Sequence, residues 1–213
     1  MIKLRLVPLV LMLVFLLLTV FSGPAGARAG AGCSPKGTKT LAASPQVRLY
    51  RGPASQSAHG STTLFGCLKS SGKTRRLGPS KGQGASMSGP FALKATWVGA
   101  IEDRRGGKGA TQVFAAARDI QTGSAKRCLV GSTDQAGRLL AVRVLLIDAK
   151  VGALAWAAIT PSATGRAPLI GVCDSRGNRV LDSGPGVEIE TLELRGSTLS
   201  WVNAAGQRTA QLH

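Results

Sequence analysis

The sequence predicts an all-β repeat domain, and three observations carry that prediction. Helical periodicity is scarce beyond the first thirty residues, where short β-branched or apolar runs alternate with turn residues instead. One phrase recurs four times: an apolar strand, a small-residue turn ending in glycine, then a short strand opening on polar or basic residues. Aromatic residues fall at a similar place in each copy. A single hairpin cannot bury its own face, so a repeated hairpin implies copies leaning on one another.

The four copies run Leu64-Phe65-Gly66-Cys67 to Gly72, Val113-Phe114-Ala115-Ala116 to Gly123, Leu169-Ile170-Gly171-Val172 to Gly177, and Leu199-Ser200-Trp201-Val202 to Gly206. Strands are expected at 47–50, 96–101, 112–117, 140–147, 154–159, 169–173 and 188–194. Turn signals at Gly52-Pro53, Gly106-Gly107, Gly165, Gly177-Asn178, Gly184-Pro185-Gly186 and Arg195-Gly196-Ser197 separate them. Alanine-rich stretches at 114–120 and 153–159 could be helical, but both are short and closed by turn residues, which favours strands. Trp97, Trp156 and Trp201, with Phe65 in the first copy, are read as core residues stacking between units. The units then span 47–78, 91–131, 139–184 and 188–212, the last of them short.

This organisation resembles the WD40- and TolB-like β-propeller repeats, whose blades use about 40–50 residues. The resemblance implies a small or incomplete β-propeller-like domain, with a β-sandwich as the alternative. There are departures: neither a Trp-Asp dipeptide nor a Gly-His pair occurs, and three or four units are few for a closed ring. The cysteines near the start of the mature chain, Tyr50-Arg51, Gly66-Cys67-Leu68, and residues 181–186 ahead of 192–201 are also similar to a class of small exported proteins of high-GC bacteria. That class carries no assigned activity.

The N-terminus reads as a secretory signal. Lys3 and Arg5 precede an uncharged apolar run over residues 6–21, Ser22-Gly23-Pro24 breaks it, and Ala27-Arg28-Ala29 offers a small-x-small cleavage site. The run is short of the roughly 20 residues that span a bilayer. Lipidation at Cys33 is disfavoured because Gly30 stands where an aliphatic residue is wanted. The expected organisation is a signal peptide over 1–29, an N-terminal arm over 30–46 tied down by a disulfide, and one all-β repeat domain over 47–213. The expected location is secreted or extracytoplasmic, at the cell envelope, with no transmembrane helix in the mature chain.

Removing residues 1–29 leaves 24 of the 27 basic residues and all ten acids, a formal charge of about +14. Such a charge favours an anionic partner: a cell-envelope polymer, an acidic lipid surface or another envelope protein. The basic residues are spread as singles and pairs (Arg75-Arg76, Arg104-Arg105, Lys126-Arg127), as on a solvated surface. Nucleic acid is disfavoured because aromatics are sparse.

Four cysteines in an exported chain imply two disulfides. Three connectivities are open. The expected pairs are Cys33 with Cys67, which would pin the arm onto the first hairpin, and Cys128 with Cys173, which would tie one repeat to the next. No Cys-x-x-Cys is present and only His59 and His213 are available, so neither a metal nor another cofactor is expected.

No catalytic residue set is expected either. Ser70-Ser71-Gly72-Lys73-Thr74 lacks the first glycine of a phosphate loop and reads as a hairpin turn. A serine nucleophile would depend on His59, and no Gly-x-Ser-x-Gly elbow exists. A carboxylate-dependent envelope hydrolase is the alternative function, with Glu102-Asp103 and Glu188, Glu190 and Glu193 as the acids to watch. Residues 102–111 are expected to form a glycine-rich loop, longer and more charged than a hairpin needs, and residues 161–168 match it in the next unit. Arg104, Arg105, Lys108 and Arg166 are the expected binding rim. The whole reads as an exported binding or structural module with a basic surface.

Overall fold

The computed structural model describes residues 33–52, 63–77, 85–105, 110–132, 140–162 and 165–213. They form fifteen strands in four antiparallel sheets, with no helix longer than a single turn. The first sheet is β1 (Lys39–Ala43), β2 (Val47–Arg51), β3 (Leu64–Leu68) and β4 (Thr74–Leu77). The second is β5 (Ala85–Lys94), β6 (Trp97–Arg105), β7 (Thr111–Asp119) and β8 (Ala125–Ser132). The third is β9 (Ala141–Asp148), β10 (Ala153–Ser162), β11 (Gly165–Asp174) and β12 (Gly177–Ser183), and the fourth is β13 (Glu188–Arg195), β14 (Thr198–Asn203) and β15 (Gly206–Gln211). Each is a simple meander in chain order, and among the described residues none closes on itself or shares a strand with another.

The repeat read from the sequence is therefore real, and its glycines have one physical role. Gly72, Gly123, Gly177 and Gly206 each lie in the turn joining the last two strands of a sheet, with φ of 68°, 90°, 95° and 104°. Side-chain-bearing residues rarely adopt that left-handed backbone, so a fixed glycine marks each unit. The ambiguous alanine-rich segments are β7 and β10. Lys39–Ala43, inside the expected arm, pairs with β2 as an edge strand.

Two loop expectations need correction. Residues 102–105 continue β6, and pairing runs out to Arg105 opposite Thr111. Likewise Ser162 stands opposite Gly165, so the 161–168 segment is mostly strand. Charged side chains are tolerated there because the ladder uses only backbone groups, and Pro161 and Pro168, although each lacks an N–H to donate, keep their register in β10 and β11.

The sheets pack face to face in sequence. Val47, Leu49 and Leu64 of the first sheet meet Val98 and Ile120. The opposite pleat of the second sheet, with Ile101, Val113 and Ala115, meets Leu145, Leu154 and Trp156 of the third. Ala153, Ala155, Ala157, Ile170 and Val172 on the third sheet's other pleat meet Ile189, Leu199 and Trp201 of the fourth. Strand β10 is thus buried on both faces, which explains its unbroken Ala-Leu-Ala-Trp-Ala-Ala run. A Cβ on Gly99 would lie 2.8 Å from Ile147, so this glycine lets the second and third sheets approach, while Gly171 makes room within the third sheet for the Trp156 ring opposite it, 2.2 Å from where a Cβ would stand.

The cysteines pair as Cys33 with Cys67 and Cys128 with Cys173. The first pair fastens residue 33 over the outer face of the first sheet, beside Tyr50 and Phe65. The second spans the interface between β8 and β11. The expected signal peptide lies outside the described residues, and no described helix is long and apolar enough to cross a membrane.

Candidate functional site

The acids are the scarce residues, and their placement decides what the charge can do. Asp119, Asp148 and Asp174 end β7, β9 and β11, and each accepts a hydrogen bond from the amide two residues on, at 2.8–2.9 Å. Asn203 does the same for Ala205 at the end of β14. These side chains close turns that the backbone alone would leave with unsatisfied donors. Asp174 also accepts from Arg179 and from the amide of His213, while Ser197 donates to Asp148, so the fourth sheet is stitched to the third.

Their ionisation follows. Burial pushes the Asp119 carboxyl up, but hydrogen bonds from Thr96, Thr122 and neighbouring amides outweigh it and hold the group below the usual range. Asp174 behaves likewise, with the Arg176 and His213 amides and Arg179 overcoming burial. Asp182 is lowered first by the Trp201 indole, against burial, and further by Asn203, Ser183 and Arg208. Asp103 carries no such support, and burial raises it.

Asp182 sits in an open depression of about 340 Å³ between β12 and the fourth sheet, lined also by Leu181, Trp201, Asn203 and Arg208. Its Oδ2 accepts from Trp201 Nε1 at 2.7 Å and Asn203 Nδ2 at 2.8 Å. Both bonds join the two sheets, so the carboxylate is already occupied as a fastener.

Glu102 is placed differently. It is buried on β6, on the pleat facing the first sheet, and its Oε1 accepts from Arg104 Nε and lies 3.6 Å from Arg127 Nη1. Both guanidiniums also lie over the Phe114 ring, at 5.9 and 4.7 Å from its centroid. Cross-strand register explains the meeting: Phe114 stands opposite Glu102, Arg104 follows Glu102 by two residues, and Arg127 stands opposite Ala116 on β8. Sequence reading singled out Arg104 and Glu102 separately and missed Phe114 and Arg127, because their proximity depends on strand pairing.

The remaining rim residues are placed as follows. Arg105 is exposed on the opposite pleat from Arg104. Arg166 is exposed at the same end of the neighbouring sheet, on the pleat that carries Ile170 and Val172 toward the fourth sheet. Lys108 lies outside the described residues, as does His59. Glu188 and Glu190 share the exposed pleat of β13, and Glu193 pairs with Arg195 at the surface. Among the described residues no three His, Cys, Asp or Glu side chains converge as metal ligands.

The charge divides along the chain. Residues 33–132, covering the first two sheets, hold sixteen Lys and Arg against three acids, of which Glu102 and Asp119 are buried. Residues 133–213 hold eight against seven. No protein-family model matches this chain, and neither a curated protein nor a solved structure shows significant similarity to it.

Proposed function

We propose that the protein is an exported, extracytoplasmic binding module that engages an anionic cell-envelope polymer through its first two sheets. The observation that carries this reading is the charge division. Two of the three acids in those sheets are buried in ion-pairing or turn closure, so the surface charge there is almost wholly positive. Electrostatic attraction of this kind concentrates a polyanion along the surface and weakens with salt. The two cysteine pairs and the N-terminal apolar run support an oxidising, extracytoplasmic setting. Four meanders stacked in order support a propeller-like arc as the scaffold.

The test is retention of the disulfide-bonded protein on isolated anionic envelope polymer across a salt series. Binding that weakens steadily with rising salt, and is lost when lysines and arginines of the first two sheets are neutralised, supports the reading. Retention that is indifferent to salt, or no retention at low salt, would overturn it.

A further inference from the structure

We infer that Arg104 and Arg127, organised by Glu102 against Phe114, form an oxyanion-binding fork that grips the phosphate or carboxylate groups of a linear polymer. This rests on the polyanion reading above and locates its contact. Two guanidiniums share one carboxylate, so the trio keeps a net charge of +1. Glu102 engages only Nε of Arg104 and approaches Nη1 of Arg127. Among the described residues, the two terminal nitrogens of Arg104 and Nη2 of Arg127 make no hydrogen bond. The arginine side chains are 26% and 42% exposed, whereas Glu102 is at 5%. The carboxylate is therefore inside and the spare donors outside.

Planar guanidiniums with free paired N–H groups match the two-oxygen edge of phosphate or carboxylate. Holding them over Phe114 removes conformational freedom before the ligand arrives, which lowers the entropy cost of binding. The surroundings favour a chain over a single ion. Arg118 lies on the same pleat four residues beyond Phe114, about 13 Å along β7 at ordinary strand rise, with Arg127 opposite the position between them. Leu129, 42% exposed, stands opposite Phe114 and extends an apolar floor suited to an uncharged polymer skeleton.

The experiment measures binding of the disulfide-intact protein to long-chain inorganic polyphosphate and, separately, to poly-L-glutamate at fixed salt, the two probes distinguishing phosphate from carboxylate groups. Arg104→Ala and Arg127→Ala are each expected to weaken binding about tenfold, as loss of a charge-assisted hydrogen-bond donor pair implies. Arg195→Ala and Arg208→Ala, on the fourth sheet, are expected to change it by less than about twofold. Arg104→Lys keeps the charge and the fold but loses the planar fork, and is expected to behave like Arg104→Ala. Equal losses for all four alanine variants, or full binding by Arg104→Lys, would overturn the fork while leaving charge-driven binding intact. Failure of the unaltered protein to bind either probe would overturn both.

Discussion

The first two sheets and the last two are built on the same hairpin plan but use charge in opposite ways. In residues 133–213 acids nearly balance bases, and Asp148, Asp174 and Asp182 are fasteners that close turns or join the third sheet to the fourth. In residues 33–132 the fastening falls more to cations. Arg75 donates to the carbonyls of Ile120 and Thr122, Lys73 to Gln121, and Arg118 to the Arg76 carbonyl. A carbonyl acceptor leaves the donor's charge unneutralised. The first half therefore keeps its positive charge while being held together, whereas the second half cancels its own. The same architecture yields one region suited to attracting polyanions and one that is electrostatically quiet.

The largest expected effect tests where stability resides. Trp156 is fully buried beside Gly171 at the interface of the second and third sheets. Trp156→Ala should cost about 3–5 kcal/mol in denaturant unfolding. Phe65→Ala, on the half-buried outer face of the first sheet, should cost clearly less; equal costs would refute the view that the middle of the stack is the anchor. Next come the disulfides. Replacing either pair by serine should cost about 2–4 kcal/mol. The sequence separations, 34 and 45 residues, are close enough that chain entropy alone predicts a difference under about 0.5 kcal/mol. A much larger loss for Cys128 and Cys173 would show that the two halves depend on the bridge between β8 and β11 for more than chain entropy.

Arg75→Ala removes charge-assisted bonds to the turn after β7 and should cost about 1–3 kcal/mol, measurable as a lowered Tm. No loss would mean that cations are not the fasteners of the first half. The mildest perturbation is acid. Asp119, Asp174 and Asp182 have folded-state pKa values below their ordinary value of 3.8. Their contribution is fully present above that value and is lost as pH falls through the lowered folded values. Tm should hold through mildly acidic pH and decline below about pH 4. Asp174→Asn should flatten that decline, because it removes one of the three titrating carboxyls and its pH-dependent contribution to the quiet half. An unchanged decline would place the acid-sensitive contacts elsewhere.

Much of the fold was legible from residue pattern. Glycines at Gly72, Gly123, Gly177 and Gly206 announced turns that need a left-handed backbone, and the Trp156 and Trp201 positions announced layers that bury aromatics. What β5 does was less legible. Its Ala-Ser-Met-Ser start alternates, but Gly89-Pro90 breaks the pattern where the pairing with β6 shifts between Ser88 and Ala92. The charge difference between the halves is also written in the chain, but it becomes visible only once the sheet boundary near residue 132 is known.

An all-β repeat, its turn positions and an excess of positive charge can be read from the residues in order, because each follows from local backbone preference or simple composition. The choice among three cysteine pairings, the enclosure of particular acids, and the meeting of Glu102, Arg104, Phe114 and Arg127 on one pleat come from the folded arrangement. Those outcomes depend on register between strands distant in sequence, where a shift of one residue turns every side chain to the opposite face.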